Sequence, residues 1–244
     1  MRYLIKFSYD GTNFYGYQKQ PGKRTVEGEL EKALFDINNH KDTRIFSSGR
    51  TDRGVHALGQ TAHFDLDVSI PEYKLKCALN SLIPCDIHVI EAKVVDEEFH
   101  ARFMVDKKTY KYYLNMGEYN PLQRSSIYQY NKELDVDKMK TAIKDFIGTY
   151  DFKVFASREV IKESYVRTIY DANIEVVDNM VTFTFTGNGF MKYQVRNMVG
   201  TLIKIGKGKI DEDSIKKLLD REIDEKIVST ARPEGLYLME VSYK

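Results

Sequence analysis

Ser47-Ser48-Gly49-Arg50-Thr51-Asp52-Arg53-Gly54-Val55-His56-Ala57 sets one carboxylate between two arginines and two glycines, just before the apolar alternation of Ala62 and Phe64. Gly, Ser and Asp are the usual residues of turns, so the stretch reads as a strand entered through a tight loop. A carboxylate that must stay ionised needs a counter-charge, because burial raises its pKa while a neighbouring guanidinium lowers it. Asp52 has that company, which marks it as a site residue.

Working outward, Tyr3, Ile5, Phe7 and Tyr9 alternate with Leu4, Lys6 and Ser8, the period of a strand, and Asp10-Gly11 ends it. Val26, Leu30, Ala33, Leu34 and Ile37 recur at helical spacing, with Glu27 and Glu29 where the helix dipole favours anions. Ile70-Pro71 opens a second helix with Leu75, Ala78, Leu79 and Leu82 on its apolar face, and a strand from Ile87 to Val95 follows. The first half is therefore βαβαβ.

The second half starts with a β-prone run at Thr109 and a helix carrying Met139, Ile143, Phe146 and Ile147 on one side. Val166 to Val177 and Met180 to Thr186 flank Asp178-Asn179 as a hairpin, with Val181, Phe183 and Phe185 facing a core and the threonines between them facing out. A helix buries Met191, Val195, Met198, Val199 and Leu202 and stops near Gly206, with Lys192 and Arg196 four apart off that stripe. A short acidic helix around Ile215, Leu218 and Leu219 and a strand from Leu236 to Tyr243 complete the chain. The class is α+β, and the two halves, 1–104 and 105–244, suggest a duplicated architecture.

The 244 residues are 42% apolar and 30% charged with five prolines, which excludes a disordered chain. No segment has the length and apolarity of a membrane span, and Arg2–Phe7 does not read as a secretion signal, so a cytoplasmic protein is expected. Cys77 and Cys85 read as reduced thiols. Net charge is +1, but its distribution is uneven. Asn179 to Ile210 has no Asp or Glu while holding Lys192, Arg196, Lys204, Lys207 and Lys209. Arg102, Lys107, Lys108 and Lys111 form a second basic cluster, and Lys41, Arg44, Arg50 and Arg53 a third. Such blocks predict a positive face suited to a nucleic-acid backbone. The scattered histidines make no metal-ligand pattern, and Gly187-Asn188-Gly189 and Gly206-Lys207-Gly208 lack the spacing of a nucleotide cradle, so neither metal nor cofactor is expected.

The segment from Ser48 to Ala57 resembles the active-site motif of the pseudouridine synthases, in the branch that acts on tRNA. Further segments similar to that family recur in order: Tyr9-Asp10-Gly11 through Gly16-Tyr17-Gln18, Lys108 to Tyr112, Gly189 to Gly200, and Pro233 to Leu238. The resemblance implies two ferredoxin-like subdomains with antiparallel sheets joined across a central cleft. It implies a cofactor-free isomerase, commonly a homodimer, that converts uridine to pseudouridine in the anticodon stem-loop of tRNA.

By resemblance, Asp52 is the catalytic carboxylate, acting as a nucleophile on the uracil ring or the sugar carbon, or as a base on a sugar proton. Tyr110 matches the tyrosine that stacks on the flipped base, and its hydroxyl is placed for proton transfer. Arg196 matches the arginine that pairs with the catalytic carboxylate, and Arg50 the residue that enters the space left by the base, with a phosphate contact as its alternative role. Arg53, Lys192, Lys204 and Lys207 are expected at the RNA, and Leu236 on the pocket wall. Arg232 departs from the family, which more often has a small or apolar residue there. A non-catalytic RNA-binding protein would gain nothing from an anion facing phosphates, and a glycoside hydrolase would need a second carboxylate that has no evident counterpart here.

Overall fold

A computed structural model describes residues 1–157 and 163–244. The chain forms two compact units, Met1–Asp106 with Tyr237–Lys244, and Lys107–Leu236. The sequence division at 104/105 kept the whole C-terminus in the second half. The final strand instead groups with the first unit, because it pairs in parallel with a strand there, Tyr237 opposite His56 and Leu238 opposite Ala57.

The first unit comprises β1 (Arg2–Tyr9), α1 (Val26–Ile37), β2 (Phe46–Ser47), β3 (His56–Asp65), α2 (Glu72–Leu82) and β4 (Ile87–Val94), joined by that returning strand, β10 (Leu236–Tyr243). Strands β4, β1 and β3 lie side by side and antiparallel. Beyond β3, β2 pairs antiparallel at one end, Phe46 opposite His63, and β10 at the other. The alternation in β1 buries Tyr3, Ile5 and Phe7 completely. Thr25 caps α1 by accepting from the Gly28 N–H at 3.3 Å, one of the donors that a helix start leaves without a partner. In α2 only Leu75 and Leu79 are buried, and Leu82 is exposed because the chain turns extended at Ile83 and buries that side chain instead.

Strand β3 departs from the expected alternation. His56, Gln60, Thr61 and His63 are buried along with Ala57, Ala62 and Phe64, so the strand is covered on both faces. The Gln60 amide accepts from Ser48 Oγ at 2.7 Å and donates to the Gly49 carbonyl at 3.0 Å. His63 Nδ1 accepts the Ala101 N–H at 3.1 Å. Burial, aided by the field of His100 and Arg2, pushes the His63 imidazole down from 6.5 to about 4.

The second unit contains β5 (Val105–Asn115), in this unit from Lys107 on, and β6 (Tyr128–Gln129), α3 (Val136–Ala142), β7 (Gly148–Asp151), β8 (Val166–Val177), β9 (Met180–Gly187), α4 (Gln194–Gly206) and α5 (Ser214–Leu219). Strands β5, β9, β8 and β7 follow one another, all antiparallel, with β6 parallel to β5. The hairpin turns at Asp178, whose φ of 54° suits an Asp-Asn turn. The helix expected through Ile147 ends at Ala142 and tightens into a 3-10 turn over Ile143–Phe146, which still buries Ile143 and Phe146.

Helix α4 is the centre of this unit and is buried almost all round. Two of its polar side chains are bonded to carbonyls: Thr201 Oγ1 donates to that of Asn197 at 2.8 Å, and Asn197 Nδ2 to that of Phe155 at 2.7 Å. The extended segment 229–231 crosses the helix, with Ser229 Oγ donating to the Gly200 carbonyl and the Ala231 N–H to the Arg196 carbonyl. A Cβ at Gly200 would lie 1.9 Å from the Ser229 carbonyl oxygen. Among the described residues no helix is long and apolar enough to cross a membrane, and Cys77 and Cys85 are exposed free thiols.

Gly200→Ala therefore forces two backbones apart and is expected to cost about 3 kcal/mol, read as a lower urea midpoint with an unchanged slope. His63 supplies a pH dependence. Between pH 6.5 and about 4 the unfolded chain takes up a proton that the folded imidazole refuses, so stability falls as pH falls through that window and levels off below it. The thermal midpoint of His63→Asn is expected to fall less than that of the native chain between those two pH values.

Candidate active site

The Asp52 loop is shaped by the end of β1 and the turn that follows it. Tyr9, buried in the core, places its hydroxyl 2.8 Å from Thr51 Oγ1. Burial pushes that phenol up to about 12, against the hydrogen bonds of Thr51 and Gln60, so it stays protonated as a neutral brace. The Tyr17 N–H donates to the Thr51 carbonyl at 3.1 Å. A Cβ on Gly11 would lie 2.0 Å from the Val55 carbonyl oxygen, so only glycine permits this approach. The loop closes on itself through the Val55 N–H and the Asp52 carbonyl at 3.2 Å. Gly11 N–H also donates to His56 Nδ1 at 3.1 Å, and the His56 ring stacks on Tyr237 with centroids 4.6 Å apart.

These contacts hold Asp52 in a partly buried position at the entrance to β3. A carboxylate fixed in this way needs little reorganisation to act as a nucleophile or a base. The flanking arginines are both exposed. Arg53 is spread over the Tyr15 ring with its guanidinium carbon 4.2 Å from the centroid. Arg50 lies close enough to Glu27 to lower the pKa of that carboxyl, although burial dominates and raises it overall.

The other site residues belong to the second unit. Tyr110 is buried on β5 opposite Phe185, and its ring meets Phe190 edge-on at 5.2 Å. Arg196 is fixed from two sides: Nε donates to the Ala231 carbonyl at 2.8 Å, and the Ala231 N–H returns a bond to the Arg196 carbonyl. Lys192 lies outside α4, contrary to the expected helical spacing with Arg196, because Tyr193 takes a left-handed conformation, φ 65°, and the helix begins only at Gln194. The Tyr193 ring brings the two cations together instead, with Lys192 Nζ at 5.0 Å and the Arg196 guanidinium carbon at 5.1 Å.

Lys204 donates to the Ile227 carbonyl at 2.6 Å, and exposed Lys207 has Nζ 4.7 Å above the Tyr130 ring. Leu236 is buried at the start of β10. Arg232 points to solvent with its nearest carboxylate, Glu234, at 3.9 Å, while its backbone carbonyl accepts from Tyr112. The departure at Arg232 thus alters the surface, and its main chain does the packing.

Sequence reasoning passed over the brace of Tyr9, Thr51 and Gly11. Its signal was present, since a turn glycine directly after an alternating strand marks close backbone approach as readily as chain reversal. Tyr193 left no such signal, because its left-handed backbone is imposed by the packing around α4.

A sequence profile described as tRNA pseudouridine synthase matches residues 5–104 and 142–244. A tRNA pseudouridine synthase A from Latilactobacillus sakei is 42% identical to this chain over 246 aligned residues, covering 100% of the chain and 99% of that protein. Another from Streptococcus agalactiae is 43% identical, covering 100% and 95% respectively. A third, from Oceanobacillus iheyensis, is 44% identical and covers 97% of this chain and 94% of its own length. Similarity at this level, continuous through the Asp52 loop and both units, establishes that the chain belongs to the tRNA pseudouridine synthase family.

Proposed function

We propose that this chain converts uridine to pseudouridine in the anticodon arm of tRNA, as a cytoplasmic homodimer, with Asp52 as the catalytic carboxylate. The reaction breaks the bond between the uracil nitrogen and the sugar, turns the base, and rejoins it through carbon. Atoms and oxidation state are unchanged overall, so the chemistry asks for a placed carboxylate and a pocket that retains the free base. The observation that carries the reading is the Asp52 loop, which is held through the Thr51 side chain by Tyr9 and through its main chain by Gly11 and Tyr17, while Asp52 stays partly exposed.

Tyr110 is proposed to stack on the flipped uracil and to move a proton through its hydroxyl, and Arg196 to favour the ionised form of Asp52. The fixed direction of Arg196 Nε supports an arginine that acts in one geometry. Arg50 is proposed to occupy the space that the flipped base leaves, and Arg53 and Leu236 to border the substrate. Lys192 and Lys207 are proposed at the phosphate backbone along with exposed Lys209. Lys204 is proposed there too, but its bond to Ile227 gives it a structural task as well.

Asp52→Asn keeps the shape of the side chain and removes its charge. It is expected to abolish tritium release from uridine-labelled tRNA while leaving tRNA binding within about twofold, and turnover near the native rate would overturn the assignment. In the same assay Tyr110→Phe and Arg196→Ala are expected to slow the single-turnover rate more than they weaken binding. The lysines are separated by salt dependence. Each lost phosphate contact reduces the slope of log K against log salt by roughly 0.7 to 0.9, so the combined Lys207→Ala and Lys209→Ala variant is expected to lose about twice that. Lys204→Ala is expected to lower the unfolding midpoint in addition.

A further inference from the structure

On the first unit, away from the Asp52 loop, a turn presents an aromatic ring to solvent. Phe103 is 77% exposed, yet the turn bearing it is anchored on all sides. Ala101 is fully buried, with its N–H on His63 Nδ1 and its carbonyl accepting from the Tyr243 hydroxyl at 2.9 Å. The Arg102 N–H reaches His100 Nδ1 at 3.1 Å, and the Met104 N–H reaches the His100 carbonyl at the same distance. An exposed phenylalanine on a loose tip needs no explanation, but the turn bearing this one is tied down on both sides by hydrogen bonds, that of Ala101 to His63 being buried.

The ring does not stand alone. Phe103 packs on His100 with centroids 4.2 Å apart, His100 on Phe46 at 5.7 Å, and the Arg44 guanidinium carbon lies 5.0 Å from the Phe46 centroid. Burial and the nearby arginines Arg2 and Arg102 lower the His100 pKa, which favours a neutral, stackable imidazole. Exposed Arg102 adjoins the row, so two basic clusters far apart in sequence, those of Arg44 and Arg102, meet around three rings. The row itself contains no carboxylate.

Its position is set by β3. The Asp52 loop is braced at Tyr9, which pairs with Ala57, and Phe46 pairs with His63. Six residues of strand separate those points, or about 20 Å at about 3.3 Å per residue.

We propose that the row of Arg44, Phe46, His100 and Phe103, with Arg102 beside it, is a second RNA contact, where an unpaired base of the tRNA stacks on Phe103 and the two arginines meet adjacent phosphates. This rests on the reading of the chain as an enzyme of tRNA. Rings presented among cations are the pattern of single-stranded RNA platforms, since every base has a face to stack. A second copy of the chain fits the surface less well, because a two-fold interface brings together two copies of a row that holds two arginines and no carboxylate.

The chain has no tryptophan, so Phe103→Trp introduces a single indole reporter at the surface in question. Titrated with an unmodified tRNA transcript, its emission is expected to be quenched with the midpoint found by filter retention. Phe103→Ala and Phe103→Leu are both expected to weaken tRNA binding by about 5- to 150-fold, the range for one lost base stack, with the loss appearing in KM. Phe103→Tyr, which keeps the ring, is expected to restore binding. Unchanged emission while tRNA is bound and isomerised would overturn this contact and leave the proposed function standing. Emission that changes with protein concentration alone would assign the surface to a second copy and also overturn it. A native chain that neither retains tRNA nor forms pseudouridine would defeat the functional reading and this contact together.

Discussion

Each unit depends on places where main chain meets main chain with no room for a Cβ, and one in each is tighter than the rest among the described residues. In the first, Gly11 lies against the Val55 carbonyl, and in the second Gly200 lies against the Ser229 carbonyl. Both contacts fix something that hydrophobic burial alone would leave loose. Apolar packing is non-directional, so it fills the sheets and helices without specifying where a loop carboxylate points. Backbone contact at this range does specify it, and the surrounding hydrogen bonds, Tyr9 to Thr51 on one side and Ala231 to Arg196 on the other, complete the alignment. The candidate site residues Asp52 and Arg196 thus each lie within a few residues of the tightest glycine contact among the described residues of their own unit.

The cations show a second common feature. Arg53 rests on Tyr15, Lys207 on Tyr130 and Arg44 on Phe46. A cation held by a ring face keeps its full charge, whereas one held by a carboxylate has its field cancelled. A chain with a net charge of only +1 can in this way maintain local positive potential where a polyanion is to be met. Other cations are held in ion pairs, as in the paired bonds of Arg24 with Asp86 and of Arg2 with Asp65. Those pairs tie loops and strand ends together and contribute little net field.

Much of the architecture was already present in the sequence. The period-two runs of β1 and of the β8–β9 hairpin, the helical spacing of α1 and α4, and the Asp178-Asn179 turn depend on near neighbours, and local pattern reports them directly. The Asp52 motif was equally legible, because its chemistry is written in consecutive residues. What local pattern could not report was burial from the far side. It predicted alternation for β3, where His56, Gln60, Thr61 and His63 proved to be buried through contacts with distant residues. It also extended a helix back to Lys192 and continued another to Ile147, since an apolar spacing does not record where tertiary packing bends the chain.

The sequence by itself determined most of the elements and the family, and it singled out Asp52 as the candidate carboxylate, because each is encoded over short spans by residue type and spacing. Tertiary structure alone decided that the last strand returns to the first unit beside His56, that Tyr9 braces Thr51 across 42 residues, and that Arg44 and Phe103 share one surface. These are long-range pairings, and their partners become neighbours only after the chain has folded. No local propensity selects one distant partner over another. That selection comes from strand register and from the few close approaches that only glycine allows.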